Sequence, residues 1–135
     1  MNILRKRVGQ PLEVVETSEK YFMDCVKKFF EEGTTIERVY MEGVEFIMAV
    51  DEDGLVKGLP LNFFMPFDNP YHPVQAIVGD VVFIRNKYAD VWNESIWDFE
   101  VLDITEKDIK TIEELLVPAR QLVLANKYME RGGIS

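Results

Sequence analysis

DEDGLVKGLPLNFFMPFDNPYHPVQAIVGDVVFI, residues 51–84, decides how this chain folds. It opens on an acidic four-residue turn, Asp51-Glu52-Asp53-Gly54, in which Gly54 is expected to supply the positive φ that closes it. GLPLN at 58–62 follows, then a loop over 63–75 stiffened by Pro66, Pro70 and Pro73. IVGDVVFI at 77–84 is rich in β-branched and aromatic residues and reads as one buried strand, with Gly79 at a bulge or a close approach. The acidic turn also resembles the start of a calcium loop. Such a loop needs oxygen ligands at alternate positions and a bidentate Glu at position 12. Here Leu55 and Val56 follow at once, so the run reads as a turn.

Upstream of this stretch, the runs 35–41 and 44–50 flank Glu42-Gly43, the pattern of a β-hairpin. In the second run Val44, Phe46, Met48 and Val50 share one face, and Ile47 and Ala49 share the other. Apolar residues on both faces predict a central strand packed by helices. The runs 2–8 and 12–16 around Gly9-Gln10-Pro11 predict a second strand–loop–strand. Between the two pairs, Thr17 or Ser18 is expected to cap a helix over 18–32, with Glu19 in its first turn. Phe22, Cys25, Val26, Phe29 and Phe30 follow its i, i+3, i+4, i+7 spacing, and Gly33 suits its C-terminal end. Cys25 has no second cysteine to pair with and reads as a small buried hydrophobe on that stripe.

Downstream, residues 99–102 predict a return strand, and Thr105 with Asp108 three positions on predicts a capped helix start. Ile109, Ile112, Leu115 and Leu116 form that helix's apolar stripe. Pro118 ends it, and residues 119–131 read as a last helix stopped by Gly132-Gly133. The expected fold is a single α+β domain. It has a mostly antiparallel sheet of about five strands, one helix packed on it and C-terminal helices. Residues 1–116 form the core domain and 117–135 its helical extension.

Three short motifs in order, GLPLN (58–62), IVGDVVFI (77–84) and DITEKD (103–108), give the chain a family likeness. It resembles the uncharacterised domain-of-unknown-function family 3846, met in gut bacteria, phages and conjugative elements. Members of that family run from an N-terminal strand and helix through a hairpin with an acidic turn. A Gly-Leu-Pro-x-Asn element, an Ile-x-Gly-x-Val-Val-Ile-like strand and a Leu-Thr-Asp-Glu-type helix start then follow. The resemblance covers residues 1–116 and implies a small α+β domain of phage or mobile-element origin. It brings no activity, so no catalytic residue carries over. The longer 63–75 loop, an insert at 88–98 and the C-terminal extension depart from the family pattern.

Charge narrows the function. The chain carries a net charge of −9, unevenly placed. Residues 31–54 hold eight acids against Arg38 alone, and residues 88–108 hold seven against Lys107 alone. Nucleic acids are bound chiefly through Lys and Arg, so direct DNA or RNA binding is not expected. The acids either keep a small domain soluble or attract a basic protein partner. No phosphate-binding glycine loop, zinc-type Cys/His cluster or nucleophile elbow is present, and no cofactor, metal or catalytic residue is expected. Asp98 and Glu100 share a strand face, which by itself does not make an acid/base pair. The N-terminal MNILRKRVGQ does not read as a secretory signal, and no apolar run approaches a membrane span, so a cytoplasmic protein is expected.

The candidate partner or ligand surface is Asn62, Phe64, Phe67, Tyr71, His72, Arg85, Trp92 and Trp97. Phe63, Phe64, Phe67 and Tyr71 are too many aromatics for a solvated loop, so the 63–75 loop is either a lid on the core or an apolar interface. Trp92 and Trp97 lie among acids, as packed indoles or as a partner-facing rim. His72 is the single histidine and fits a hydrogen-bonding surface residue better than a metal ligand. The leading expectation is a small acidic, non-enzymatic protein of a phage or mobile element that binds another protein. The alternative is a ligand-binding or cryptic enzyme domain, with Asn62, His72 and Arg85 converging in a cleft under the 63–75 loop. A homo-oligomer through the last helix is the third.

Overall fold

A computed structural model describes residues 1–40, 44–66, 74–86 and 99–116. They form an α+β domain with a mostly antiparallel main sheet. Its strands are β1 (Asn2–Lys6), β2 (Glu13–Glu16), β3 (Ile36–Tyr40), β4 (Phe46–Asp51), β7 (Val81–Asn86) and the short β8 (Val101–Leu102). The order is β2-β1-β7-β4-β3, with β8 on the far end of β7, where Arg85 pairs with Leu102 and Asn86 with Val101. Between β4 and β7 in the chain, β5 (Leu61–Pro66) and β6 (Val74–Val78) make a separate two-stranded antiparallel sheet.

The centre of the main sheet explains the apolar runs. All four residues Phe46, Ile47, Met48 and Ala49 of β4 are buried, as are Val81, Val82, Phe83 and Ile84 of β7. Side chains alternate across a strand. Ile47, Ala49, Val82 and Ile84 therefore face one layer with Phe22, Cys25 and Val26, while Phe46, Met48, Val81 and Phe83 face the other. The expected two-sided burial of β4 holds, but the second cover is not another helix alone. It is the β5–β6 sheet, through Phe63, Met65 and Ile77, together with Ile104 and Ile112 of α2 (Glu106–Leu115) and the loop before it. Phe63 and Phe83 stack with ring centroids 6.3 Å apart.

Five local expectations change. The helix is shorter than 18–32: α1 spans Phe22–Val26 and passes into a 3-10 turn at Lys27–Phe29. It starts late because the preceding backbone is used in strand-like pairing. Tyr21 bridges Glu100, the Phe22 N–H donates to the Phe99 carbonyl, and the Val101 N–H donates to the Lys20 carbonyl. Thr17 is buried and caps nothing; its Oγ1 accepts from the Glu19 N–H (3.2 Å) and from Lys28 Nζ (2.9 Å). The expected 63–75 loop has strand at both ends, 63–66 in β5 and 74–75 in β6, and 67–73 lie outside the described residues.

The run 77–84 is two strands rather than one. The chain leaves β6 at Val78, turns through Gly79 (φ +74) and Asp80, and joins the main sheet at Val81. The positive φ favours glycine there, and a Cβ would also stand 2.8 Å from Leu59 Cδ1, so that side chain would have to shift. In the acidic turn, Gly58 (φ +70) and not Gly54 takes the positive φ. The Gly58 N–H donates to the Leu55 carbonyl and the Leu59 N–H to the Gly54 carbonyl, the bond pair of a Schellman motif. Residues 53–59 are thus a single helical turn with a proper C-terminal stop.

Other elements follow the sequence closely. β1 and β2 pair antiparallel with Asn2 opposite Glu16, and β3 and β4 with Ile36 opposite Asp51. Thr105 caps α2 in a full capping box with Asp108. The hairpin turn at Glu42-Gly43, the 88–98 insert and the 117–135 extension lie outside the described residues.

Candidate functional site

Asn62 is a structural clasp. It is buried, and its Nδ2 donates to the carbonyls of Lys6 and Gly79, both at 2.8 Å. Its Oδ1 accepts from Lys6 Nζ at 3.0 Å. These bonds fasten the start of β5 to the end of β1 and to the β6–β7 turn. Burial lowers the Lys6 ammonium below its ordinary pKa, with Asp80 opposing that shift.

Arg85 is a second clasp, at the other end of β7. Its Nη1 donates to both Asp108 oxygens (2.9 and 2.8 Å), and its Nη2 donates to Glu45. Asp108 in turn accepts from the Thr105 N–H at 3.1 Å, so the carboxylate that caps α2 also ties it to the sheet. The Asp108 hydrogen bonds, and then the charges of Asp108 and Glu45, raise Arg85 above its ordinary pKa. Lys6, beside Asn62, pairs with Val81, and Arg85 lies four residues further along β7. At about 3.3 Å per residue that puts the two clasps roughly 13 Å apart along the strand. Phe64 is half-buried on β5, opposite Ala76. Phe67, Tyr71, His72, Trp92 and Trp97 lie outside the described residues.

The open feature is at the Gly79-Asp80 end of β7. A cleft of about 280 Å³ lies between the turn after α1 and the 51–60 segment. Its apolar walls are Val8, Phe29, Phe30, Leu59 and Pro60, and its polar margin carries Glu31, Thr34, Asp51, Lys57 and Asp80. A second hollow of about 390 Å³ shares Phe30, Glu31 and Thr34 with it, so the 31–34 turn is a ridge between the two. That turn is closed by the Thr34 N–H donating to the Glu31 carbonyl at 3.1 Å, with Gly33 at φ +85.

The cleft has a net negative margin. Lys57 Nζ donates to Asp51 Oδ2 at 2.7 Å. That bond, followed by the charges of Asp51, Asp53 and Glu31, raises the Lys57 ammonium above its ordinary pKa. Asp51 Oδ1 accepts from the Asp53 N–H (2.9 Å), and Asp80 Oδ1 from the Val8 N–H (3.0 Å). Among the described residues, no cation lies within salt-bridge distance of Glu31 or Asp80.

Beside the cleft, the helical turn at 53–59 presents Leu55 and Val56, which are 74% and 91% exposed. Two adjacent apolar side chains this exposed, on a backbone this well hydrogen-bonded, are unlike the rest of the described surface, where Val14 at 55% is next. The candidate surface over 62–97 does not contain this feature. Its signal is in the sequence, however. Leu55-Val56 sits inside an acidic turn, DEDGLVKG, and belongs to neither flanking strand. Glu31, Lys57 and Asp80 carry no such signal, because only the fold brings the three turns together.

Cys25 is buried in the α1 layer, its Sγ donating to the Glu19 carbonyl at 3.3 Å, and burial raises its thiol above the ordinary pKa. Glu100 is exposed and pairs with Lys20 at 3.0 Å. Among the described residues no group of three or more His, Cys, Asp or Glu is arranged to hold a metal ion, and no helix is long and apolar enough to cross a membrane. Comparison with protein-family models, with curated proteins and with solved structures finds no match to this chain.

Proposed function

We propose that this chain is a small acidic, non-enzymatic protein of a phage or mobile element, and that it binds another protein through its 31–58 acidic end. The resemblance to family 3846 supports the origin, and charge supports a basic partner. The observation that carries the reading is the exposed Leu55-Val56 pair, held on a Schellman-closed turn among Glu52, Asp53 and the carboxylates of the cleft. Exposing large apolar side chains costs solvation free energy, roughly 25 cal/mol per Å², which binding recovers. An apolar tip framed by charge is also the layout of an interface, with a hydrophobic centre and a polar rim. The rim then steers a basic partner and screens with salt.

Affinity capture at low and at high salt tests this, using the wild-type chain beside a Leu55→Ser/Val56→Ser variant. A partner that is lost both on adding salt and on removing the two side chains is the expected result. Capture that is indifferent to the double substitution overturns the assignment of the tip.

A further inference from the structure

Within that protein-binding reading, on which it rests, we infer that the cleft beside the Leu55-Val56 tip receives one long cationic side chain, arginine or lysine, from the partner. Shape is the first argument. At about 280 Å³, with apolar walls and a charged margin, the cleft has room for one extended side chain. Chemistry is the second. Arginine and lysine lay their methylene stems along apolar surface and keep their charged heads at its edge. Phe29, Phe30, Leu59 and Pro60 offer that surface, and Glu31, Asp51 and Asp80 offer the edge.

Charge complementarity is the third argument. Three carboxylates line the cleft with one cation, Lys57, and Asp51 holds that cation. Among the described residues neither Glu31 nor Asp80 makes an ion pair, Lys6 acting on Asp80 through its charge alone, so both can meet a cation from outside. Lys57 itself shows what the margin does to an ammonium, since Asp51, Asp53 and Glu31 all act to keep it charged. The position is the fourth. Lys57 lines the cleft and is the residue after Val56, so an occupant of the tip is within a few residues' reach of the cleft.

Two capped peptides serve as probes, Ac-Leu-Arg-Leu-NH2 and its neutral counterpart with norleucine for arginine, titrated against the full chain and followed by amide NMR shifts. The arginine peptide is expected to shift the amides of Glu31, Thr34, Lys57, Gly79 and Asp80, and the norleucine peptide to leave them in place. Glu31→Lys and Asp80→Asn are each expected to weaken the arginine peptide by about two- to fivefold, the worth of one exposed ion pair. Both variants keep the fold. Glu31 bonds Thr34 only through its backbone, and an asparagine at 80 still accepts from the Val8 N–H. Equal shifts from the norleucine peptide, or affinity unchanged in both variants, overturns the inference. A molecular mass that rises with concentration, and that Glu31→Lys returns to monomer, puts a second copy in the cleft and also overturns it. The parent reading fails separately. If partner capture needs Leu55 and Val56 but tolerates Glu31→Lys and Asp80→Asn, only the cleft assignment falls. If capture ignores Leu55 and Val56, the tip assignment falls, and the peptide titration still decides the cleft.

Discussion

The two ends of β7 carry the same ingredients, carboxylates around a basic side chain, and use them in opposite ways. At the Arg85 end, one guanidinium meets Asp108 and Glu45, and Asp108 also caps α2, so each group is partnered inside the fold. At the Asp80 end, three carboxylates line a cleft in which Lys57 is the one cation among the described lining residues. Like charges left together cost stability, and what they produce in exchange is a potential that reaches outward. The difference teaches how to separate structural charge from functional charge in a chain of net −9. A carboxylate with bonded partners on two elements holds the molecule together; one at a rim without a cation is available.

The comparison breaks most readily at the closed end. Replacing Asp108 by Ala removes two bonds to Arg85 and one half of the α2 capping box, the bond from the Thr105 N–H, while the Asp108 N–H still donates to Thr105 Oγ1. Removing one partner of a fully buried pair costs about 3–5 kcal/mol. Arg85 keeps some contact with water, so about 2–3 kcal/mol is expected, a fall of roughly 10 °C in the melting temperature. Calorimetry checks it, and a loss below about 0.5 kcal/mol would mean the closed end is no more structural than a surface ion pair.

Asn62→Leu is the next largest. It removes the partner of the Lys6 and Gly79 carbonyls and of Lys6 Nζ, at a position 8% exposed. Leaving such groups unsatisfied costs about 1–3 kcal/mol, and denaturant unfolding measures it. Asn62 was an expected surface residue, and a neutral result here would return it to the candidate site. At the open end, Gly58→Ala forces a side chain into the left-handed region and should cost about 1 kcal/mol. If it also loosens the 53–59 turn, partner capture falls with it, which would tie the tip's rigidity to its use.

How far the sequence foretold this molecule depended on the range of the interaction. The alternation of Val44 through Val50 gave two-sided burial, and Thr105 with Asp108 gave the capping box, because both signals are complete within a few residues. Gly58-Leu59-Pro60-Leu61-Asn62 stood out as a motif without revealing that Asn62 reaches back to Lys6. The α1 boundary was misplaced for a related reason. Thr17-Ser18-Glu19 is a sound local cap, yet residues 20–22 pair with 99–101, eighty positions away, and extended pairing there outcompetes a first helical turn. IVGDVVFI has strand composition throughout, so only the sheet partners, Leu61 for Val78 and Lys6 for Val81, reveal that it divides at Gly79. The cleft was the least legible of all, since Glu31, Asp51 and Asp80 come from the turn after α1, the end of β4 and the β6–β7 turn.

The smallest expected effect is the sharpest probe of the open end, because it reads the potential directly. Lys57 is held above its ordinary pKa by its hydrogen bond to Asp51 first, then by the charges of Asp51, Asp53 and Glu31. A folded pKa above the unfolded one means that the ammonium's stabilising contribution is complete below the unfolded value, near 10.5, and is lost as pH rises through the folded value. Titration of the Lys57 side chain by NMR should therefore give a midpoint above 10.5 in the wild type. Asp51→Asn keeps the bond from the Asp53 N–H but removes the charge, and it should lower the midpoint most, with Asp53→Asn next and Glu31→Gln least. Asp108→Asn, at the other end of β7, should leave the midpoint where it is. If Glu31→Gln has no effect at low salt, Glu31 does not contribute to the field in the cleft, and the cation it was to receive has only Asp80 left to meet.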